Sequence, residues 1–393
     1  MKDRIYLDYN ATTPCAVEVV DAMRAYFDES FGNPSSIHHA YGWMAKDAID
    51  TATNLIASVL NIDPTKIVYT SGSTEGINMI LKSFSKKYMQ RESHIITVKT
   101  EHKAVLDTCA FLEKYEGVSV TYLNVDTHGL IDLRELEEAL RPETVLVSIM
   151  HANNETGVIQ PLNEIAALLK NKDVLLFTDA TQSLGKTELH QVLEVADYVC
   201  FSGHKVYGPK GVGMVYAKNQ HAIDKLQSLI QGGGQQKKLR GGTLNATGII
   251  GFSKAIELIY GNLSEEIQRL SALRDLLEEG LLEIELSTAN GAKAKRLPNT
   301  TNISFRYVNG GNLLRALSKH MAISNGSACN AASENPSHVL TAMKVSSDLA
   351  FSSLRFSLGK STTESDIRRA IQIIQDEVSE LRSNNILWDR RDK

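Results

Sequence analysis

The run Val145-Leu146-Val147-Ser148-Ile149-Met150 is almost continuously apolar. A strand with one face in water alternates polar and apolar residues, so an unbroken apolar run marks a strand covered on both faces, the signature of a largely parallel sheet between layers of helices. Comparable β-rich runs fall at 67–69, 95–98, 118–123, 174–177, 198–201 and 212–216, separated by longer helical patterns. With 145–150 they predict a mostly parallel seven-stranded α/β sheet. About ten residues separate the last two runs, too few for a helical crossover, so the last strand is expected to run antiparallel to its predecessor.

Beyond about residue 255 the pattern changes to long helices, over 264–282 and 364–382, with short strands near 301–307 and 354–357. We therefore divide the 393 residues into a large domain, 14–255, and a smaller α+β domain formed by 1–13 and 256–393. The closing Asp389-Arg390-Arg391-Asp392-Lys393 reads as a polar end. A formal charge of −4, from 42 basic and 46 acidic residues, predicts no general attraction to nucleic acid or membrane. The N-terminal residues carry no apolar signal core and no stretch is long and apolar enough to span a bilayer, so the expected location is the cytoplasm. Cys15, Cys109, Cys200 and Cys329 lie far apart without metal-ligand spacing, and neither a zinc site nor a disulfide framework is expected.

In open α/β sheets ligands bind beyond the carboxyl ends of the strands, and polar clusters stand at five of those ends. They are Ser71-Gly72-Ser73-Thr74, Glu101-His102, Asn153-Asn154, Asp179 with Gln182, and Ser202 with His204 and Lys205. A lysine and an aspartate at the ends of neighbouring buried strands suit pyridoxal phosphate, which takes an amine for a Schiff base and a carboxylate at its pyridine nitrogen. Ser73 and Thr74 open a helical pattern, so they read either as an ordinary N-cap or as a seat for an anion. His102 reads as a loop histidine or as an imidazole stacked on an aromatic cofactor, and Asp179 alone could cap the segment that follows it. Gly203 and Gly208 have the spacing that begins a P-loop, but Pro209 stands where its lysine belongs.

The second domain carries Ser324-Asn325-Gly326-Ser327-Ala328-Cys329-Asn330-Ala331-Ala332-Ser333, a run of small residues around a cysteine and too weakly apolar to be core. It reads as a mobile loop, about 323–335, with an accessible thiol. Cys200 and Cys109 read instead as buried and inert, while Cys15, after a polar turn, stays undecided. Arg355, flanked by apolar residues, suits either a bidentate grip on a substrate carboxylate or a structural ion pair.

Taken together, the ordered motifs Tyr6-Leu7-Asp8-Tyr9-Asn10-Ala11-Thr12-Thr13-Pro14, Gly32-Asn33-Pro34-Ser35-Ser36, Thr100-Glu101-His102-Lys103-Ala104, His151-Ala152-Asn153-Asn154-Glu155, Asp179-Ala180-Thr181-Gln182-Ser183 and Ser353-Leu354-Arg355-Phe356-Ser357 resemble those of cysteine desulfurases of the NifS/IscS type. These are fold-type I pyridoxal-phosphate enzymes related to class V aminotransferases. The resemblance implies pyridoxal 5'-phosphate as cofactor, with Lys205 as its Schiff-base lysine, Asp179 at the pyridine nitrogen, His102 over the ring as a candidate acid/base, and Gln182 at the ring hydroxyl. It places Ser73, Thr74, Ser202 and His204 on the phosphate, Asn154 and Arg355 on the substrate carboxylate with Asn154 touching the cofactor as well, and Cys329 as the residue that takes sulfur from L-cysteine as a persulfide. Thr243 would reach the phosphate of a partner subunit, which implies a homodimer; here it follows Arg240-Gly241-Gly242, where the family has serine in place of the first glycine.

The sulfur then passes to a protein acceptor. Housekeeping members of the family extend further beyond the Leu-Trp that this chain has at Leu387-Trp388. A specialised route such as DNA phosphorothioation is therefore expected, with transfer-RNA thiolation or iron-sulfur cluster assembly as alternatives. Selenocysteine lyase, another class V aminotransferase activity, or a non-catalytic docking scaffold are the competing readings of the fold.

Overall fold

The computed structural model describes residues 4–325 and 336–389. Its strands are β1 (Ile5–Tyr6), β2 (Ile67–Thr70), β3 (His94–Val98), β4 (Ser119–Leu123), β5 (Thr144–Ser148), β6 (Leu175–Asp179), β7 (Tyr198–Ser202), β8 (Gly213–Ala217), β9 (Ser287–Ala289), β10 (Thr300–Phe305), β11 (Met321–Ala322) and β12 (Ser353–Ser357). The seven strands expected from the apolar runs form one sheet in the order β2-β8-β7-β6-β5-β3-β4. Strand β8 is antiparallel to both its neighbours, and the pairs from β7 across to β4 are parallel.

The continuous apolar runs have a simple cause. Successive side chains on a strand point to opposite faces. Ile95, Leu146, Phe177, Cys200 and Val215 join one apolar cluster, with Ile77, Ile80, Val105 and Leu112 of the helices Ser73–Ser83 and Lys103–Tyr115. Their neighbours Ile96, Val147, Leu176, Val199 and Met214 join another on the far face, with Ile49 and Ile56 of Ala40–Leu60 and Ile249, Phe252 and Ile256 of Ala246–Tyr260. Edge strand β4 is less buried, and its Ser119 is exposed.

A second sheet, β12-β10-β9, is antiparallel, and the short β1 pairs in parallel with β11. Its core gathers Leu270, Leu273, Leu277 and Leu281 from Leu263–Leu282, at helical spacing, and Ile367, Ala370, Ile374 and Val378 from Glu364–Ser383. Thr363 and Asp366 close a reciprocal capping box at the start of the latter helix. Ile5 and Leu7 belong to this core, so the chain begins there before crossing to the large sheet. Helix Ala246–Tyr260 runs through residue 255, and its Ala255 and Ile256 pack on the large sheet. The short strands β1, β9 and β11 carry too few residues for a periodic signal and were not expected from the sequence.

Gly213 lets β8 approach the site. A Cβ there would lie 2.4 Å from the Phe201 carbonyl oxygen and 2.7 Å from Gly72 Cα, both backbone atoms that yield only if strands move. Gly213→Ala is expected to lower stability by about 1–3 kcal/mol, the cost of an overpacked contact, as read by a lowered denaturation midpoint.

Candidate active site

Lys205 closes a one-turn helix, Gly203–Lys205, directly after β7. Its Nζ donates to the carbonyl oxygens of Asn10 at 2.6 Å and Ala11 at 2.8 Å. Two residues later Tyr207 has φ of 61°, unusual for a bulky residue, and it is held there by Thr13 Oγ1, which accepts its N–H at 2.7 Å, and by the Lys360 N–H, which its hydroxyl accepts at 2.7 Å. The antiparallel return of β8 keeps this connection tight and fixes where the amine emerges.

On the adjacent strand, Asp179 is the last residue of β6 and is buried. Its Oδ1 accepts the Thr181 N–H at 2.9 Å and lies 3.6 Å from the Cys200 thiol. Burial and the Asp179 charge push the Cys200 thiol far above its ordinary pKa, so it stays protonated and can act as a donor. Local donors thus occupy Oδ1, leaving Oδ2 as the oxygen for an external partner.

His102 caps Lys103–Tyr115, with Nδ1 accepting the Ala104 N–H at 3.0 Å. A nitrogen that accepts cannot carry the proton, so the neutral ring is protonated on Nε2. Burial lowers the His102 pKa, and Lys205 lowers it further, against the opposing pull of Asp179. Glu101 beside it is fully buried. Burial, reinforced by Asp179, raises its pKa well above the carboxylate range, while its Oε1 accepts the Met150 N–H.

Ser73, Thr74, Ser202 and His204 line one cleft, together with Thr12 and Lys210. The cleft opens at the N-terminus of the 11-residue helix Ser73–Ser83, whose cap Gly72 uses no side-chain hydrogen bond. Hydroxyls, an imidazole, an ammonium group and the positive end of a helix dipole make a donor set for a phosphate dianion. His204 Nδ1 is 3.1 Å from Thr12 Oγ1, and burial with the nearby Lys205 and Lys210 lowers its pKa to about 4.

Gln182 donates from Nε2 to Asn10 O at 3.0 Å. Arg355 on β12 is 2 % exposed and is engaged by the ion-pair alternative, bonding Asp8 Oδ1 from Nη2 at 2.7 Å and Asn154 O from Nη1 at 3.1 Å. Its buried Nε has no hydrogen-bond partner among the described residues, which leaves one donor for a ligand. Thr243 is exposed and stands outside the cleft that gathers Ser73, Thr74, Ser202 and His204. Cys329 and most of its loop lie outside the described residues. Cys200 and Cys109 are buried, and Cys15 is half-buried. Burial raises the Cys109 pKa to about 12.

Sequence reasoning passed over Asn10, Lys186, Thr12 and Lys210. Asn10 lies 195 residues from Lys205, and only the fold brings their atoms together. Lys186 carried a local signal, standing four residues after Gln182.

His151, buried and 2.8 Å through Nδ1 from Ser183 Oγ, has its pKa lowered to about 4 by burial first and Lys295 second. The unfolded histidine, at about 6.5, then binds more protons than the folded one. Stability is therefore lost as pH falls from about 6.5 towards 4. In His151→Gln the pH dependence of the urea midpoint over that window should be shallower, by up to about one proton.

The aminotransferase class-V family matches residues 5–370. The cysteine desulfurase IscS of Pasteurella multocida is 45% identical over 391 residues, covering 99% of this chain and 96% of that protein. Among solved structures, a NifS-like protein superposes with a TM-score of 0.88 at 37% identity, covering 96% of this chain and 100% of its own. DndA from Streptomyces lividans does so at 0.75 and 35%, covering 90% of this chain and 99% of its own. With a lysine and a carboxylate at adjacent strand ends and a cleft rich in hydrogen-bond donors beside them, the chain belongs to the cysteine desulfurases of the aminotransferase class-V family, enzymes that use pyridoxal 5'-phosphate.

Proposed function

We propose that this protein removes sulfur from L-cysteine, giving L-alanine and a persulfide on Cys329 that it passes to a protein acceptor in the cytoplasm. The observation that carries the reading is the convergence of Lys205, Asp179, His102 and the Ser73–Thr74–Ser202–His204 cleft at the carboxyl ends of β2, β3, β6 and β7. Residues 14–255 form the cofactor-binding unit, and 1–13 with 256–393 form the unit that brings Cys329 to it.

The donor set fits the cofactor. Ser73, Thr74, Ser202 and His204 would hold its phosphate, Asp179 its pyridine nitrogen, Gln182 its phenolic oxygen and His102 the face of its ring, with Lys205 as the covalent anchor. When bound, pyridoxal phosphate supplies an electron sink that acidifies the Cα–H of an amino acid joined to it. Lys205 takes that proton, its amine being set by a short, doubly anchored turn. Arg355 and Asn154 fix the carboxylate of cysteine, and Arg355 does so beside Asp8, so the substrate anion meets a guanidinium already oriented by a carboxylate. Cys329 as thiolate attacks the sulfur of the substrate. The S–S bond forms as the substrate C–S bond breaks, and the electron pair left on carbon is protonated on the way to L-alanine. His102, neutral and protonated on Nε2, is placed to move a proton in these steps.

Thr243 is assigned to the partner's phosphate in a homodimer. Exposed Val17, Phe27, Phe31, Ile37, Trp43 and Met44 near the N-terminus support the association, since an apolar group of this size is costly to leave in water. For the acceptor, the likeness to DndA supports a route to DNA phosphorothioation. The higher identity to IscS favours a second reading, supply of sulfur to iron-sulfur cluster assembly or transfer-RNA thiolation.

Cys329→Ser is expected to keep cofactor absorbance and to lose alanine and persulfide formation; sulfide release at the original rate would remove Cys329 from its role. Lys205→Ala should lower turnover by roughly 10²–10⁴-fold, the range for loss of a general base. Persulfide-loaded enzyme offered both a phosphorothioation partner and a cluster scaffold should load the former preferentially, and efficient transfer to the scaffold alone would decide for the second reading.

A further inference from the structure

Lys186 is a buried lysine held by neutral partners. It stands four residues after Gln182 and is 7 % exposed. Its Nζ donates to Gln182 Oε1 at 2.9 Å and to Asn10 Oδ1 at 3.3 Å. No carboxylate pairs with it among the described residues, and the charged groups it feels are two further cations, Lys205 and Arg355. Burial and those cations lower its pKa to about 7. Burying an amine carries a desolvation cost that its hydrogen bonds must offset, so its partners locate its use.

In its protonated form Lys186 only donates, and a backbone carbonyl only accepts. Gln182 stands between one of each, Lys186 Nζ at its oxygen and Asn10 O at its nitrogen. A flipped amide would be repelled at both ends. One N–H of Gln182 is spent on Asn10 O, the same oxygen that accepts from Lys205 Nζ, so the amide nitrogen and the lysine amine are neighbours across one acceptor. Among the described residues nothing takes the second N–H, which is left for a group beside Lys205.

We propose that Lys186 is a positioning residue that holds Gln182 with its amide nitrogen towards the cofactor, so that this nitrogen donates to the phenolic oxygen next to the carbon that Lys205 takes. The inference rests on the reading of Lys205 and Gln182 given above. A donor on that oxygen stabilises its negative charge most when the neighbouring nitrogen is unprotonated, and so lowers the pH at which the lysine-linked cofactor loses its proton. Lys186 acts on the cofactor through Gln182.

The test is the visible absorbance of cofactor-loaded protein titrated with pH, in the native sequence, Lys186→Met, Gln182→Ala and the double variant. Lys186→Met should raise the midpoint by roughly one unit, the size of one hydrogen bond to a charged group. In the Gln182→Ala background the same change should add almost nothing. Equal shifts in both backgrounds would mean a through-space charge effect and overturn the proposal, as would an unmoved midpoint in Lys186→Met beside a shifted one in Gln182→Ala. An unmoved midpoint in Gln182→Ala alone would remove the assignment of Gln182, and a protein that never acquires visible absorbance would remove the cofactor reading itself. Thermal melts of the cofactor-free variants check folding. Should Lys186→Met not fold, Lys186→Gln, which can accept as well as donate and so no longer dictates the amide, is expected to shift the midpoint in the same direction by less.

Discussion

The segment from Asp8 to Thr13 is the piece of chain on which the site depends. It leaves the small-sheet core at Leu7, pairs Asp8 with Arg355 and lays the Asn10 and Ala11 carbonyls under Lys205. It then ties Thr13 to the His204 carbonyl at 3.0 Å. Asn10 alone also takes Ser357 Oγ, Thr300 Oγ1 and the Asn154 carbonyl as partners. Groups from both sheets are thereby referred to one short stretch of backbone, and none of its buried side-chain polar atoms lacks a partner, which is what makes such a network rigid.

Burial sets the charge states around it. Glu101 is pushed towards its neutral form, His102 away from protonation, Cys200 towards the thiol, and Lys186 down to about 7. Each shift has desolvation as its largest cause, so the low dielectric between the sheets, more than any single partner, does the tuning.

The central sheet was legible because its strands are buried on both faces, and the ten-residue limit between the last two runs foretold the reversed β8. The places of the proposed site residues were legible where one ends a strand, as Asp179 does, or starts a helix, as Ser73 does. Asn10 was not, because its role comes from atoms brought from residues 154, 182, 205, 300 and 357 by tertiary folding. Strands of two or three residues, such as β1 and β11, leave no period to read and exist because they pair with each other.

The reversed strand also bears on the role proposed for Lys205. Backbone paired on one side in β7 and on the other in β8 leaves almost no slack, and Tyr207 in a left-handed conformation stiffens what remains. If Lys205 anchors the cofactor as proposed, its amine, once displaced, travels only as far as its own four methylenes swing. It therefore stays at high local concentration beside the carbon it left, and the enzyme is reset by a side-chain rotation instead of a search by the chain.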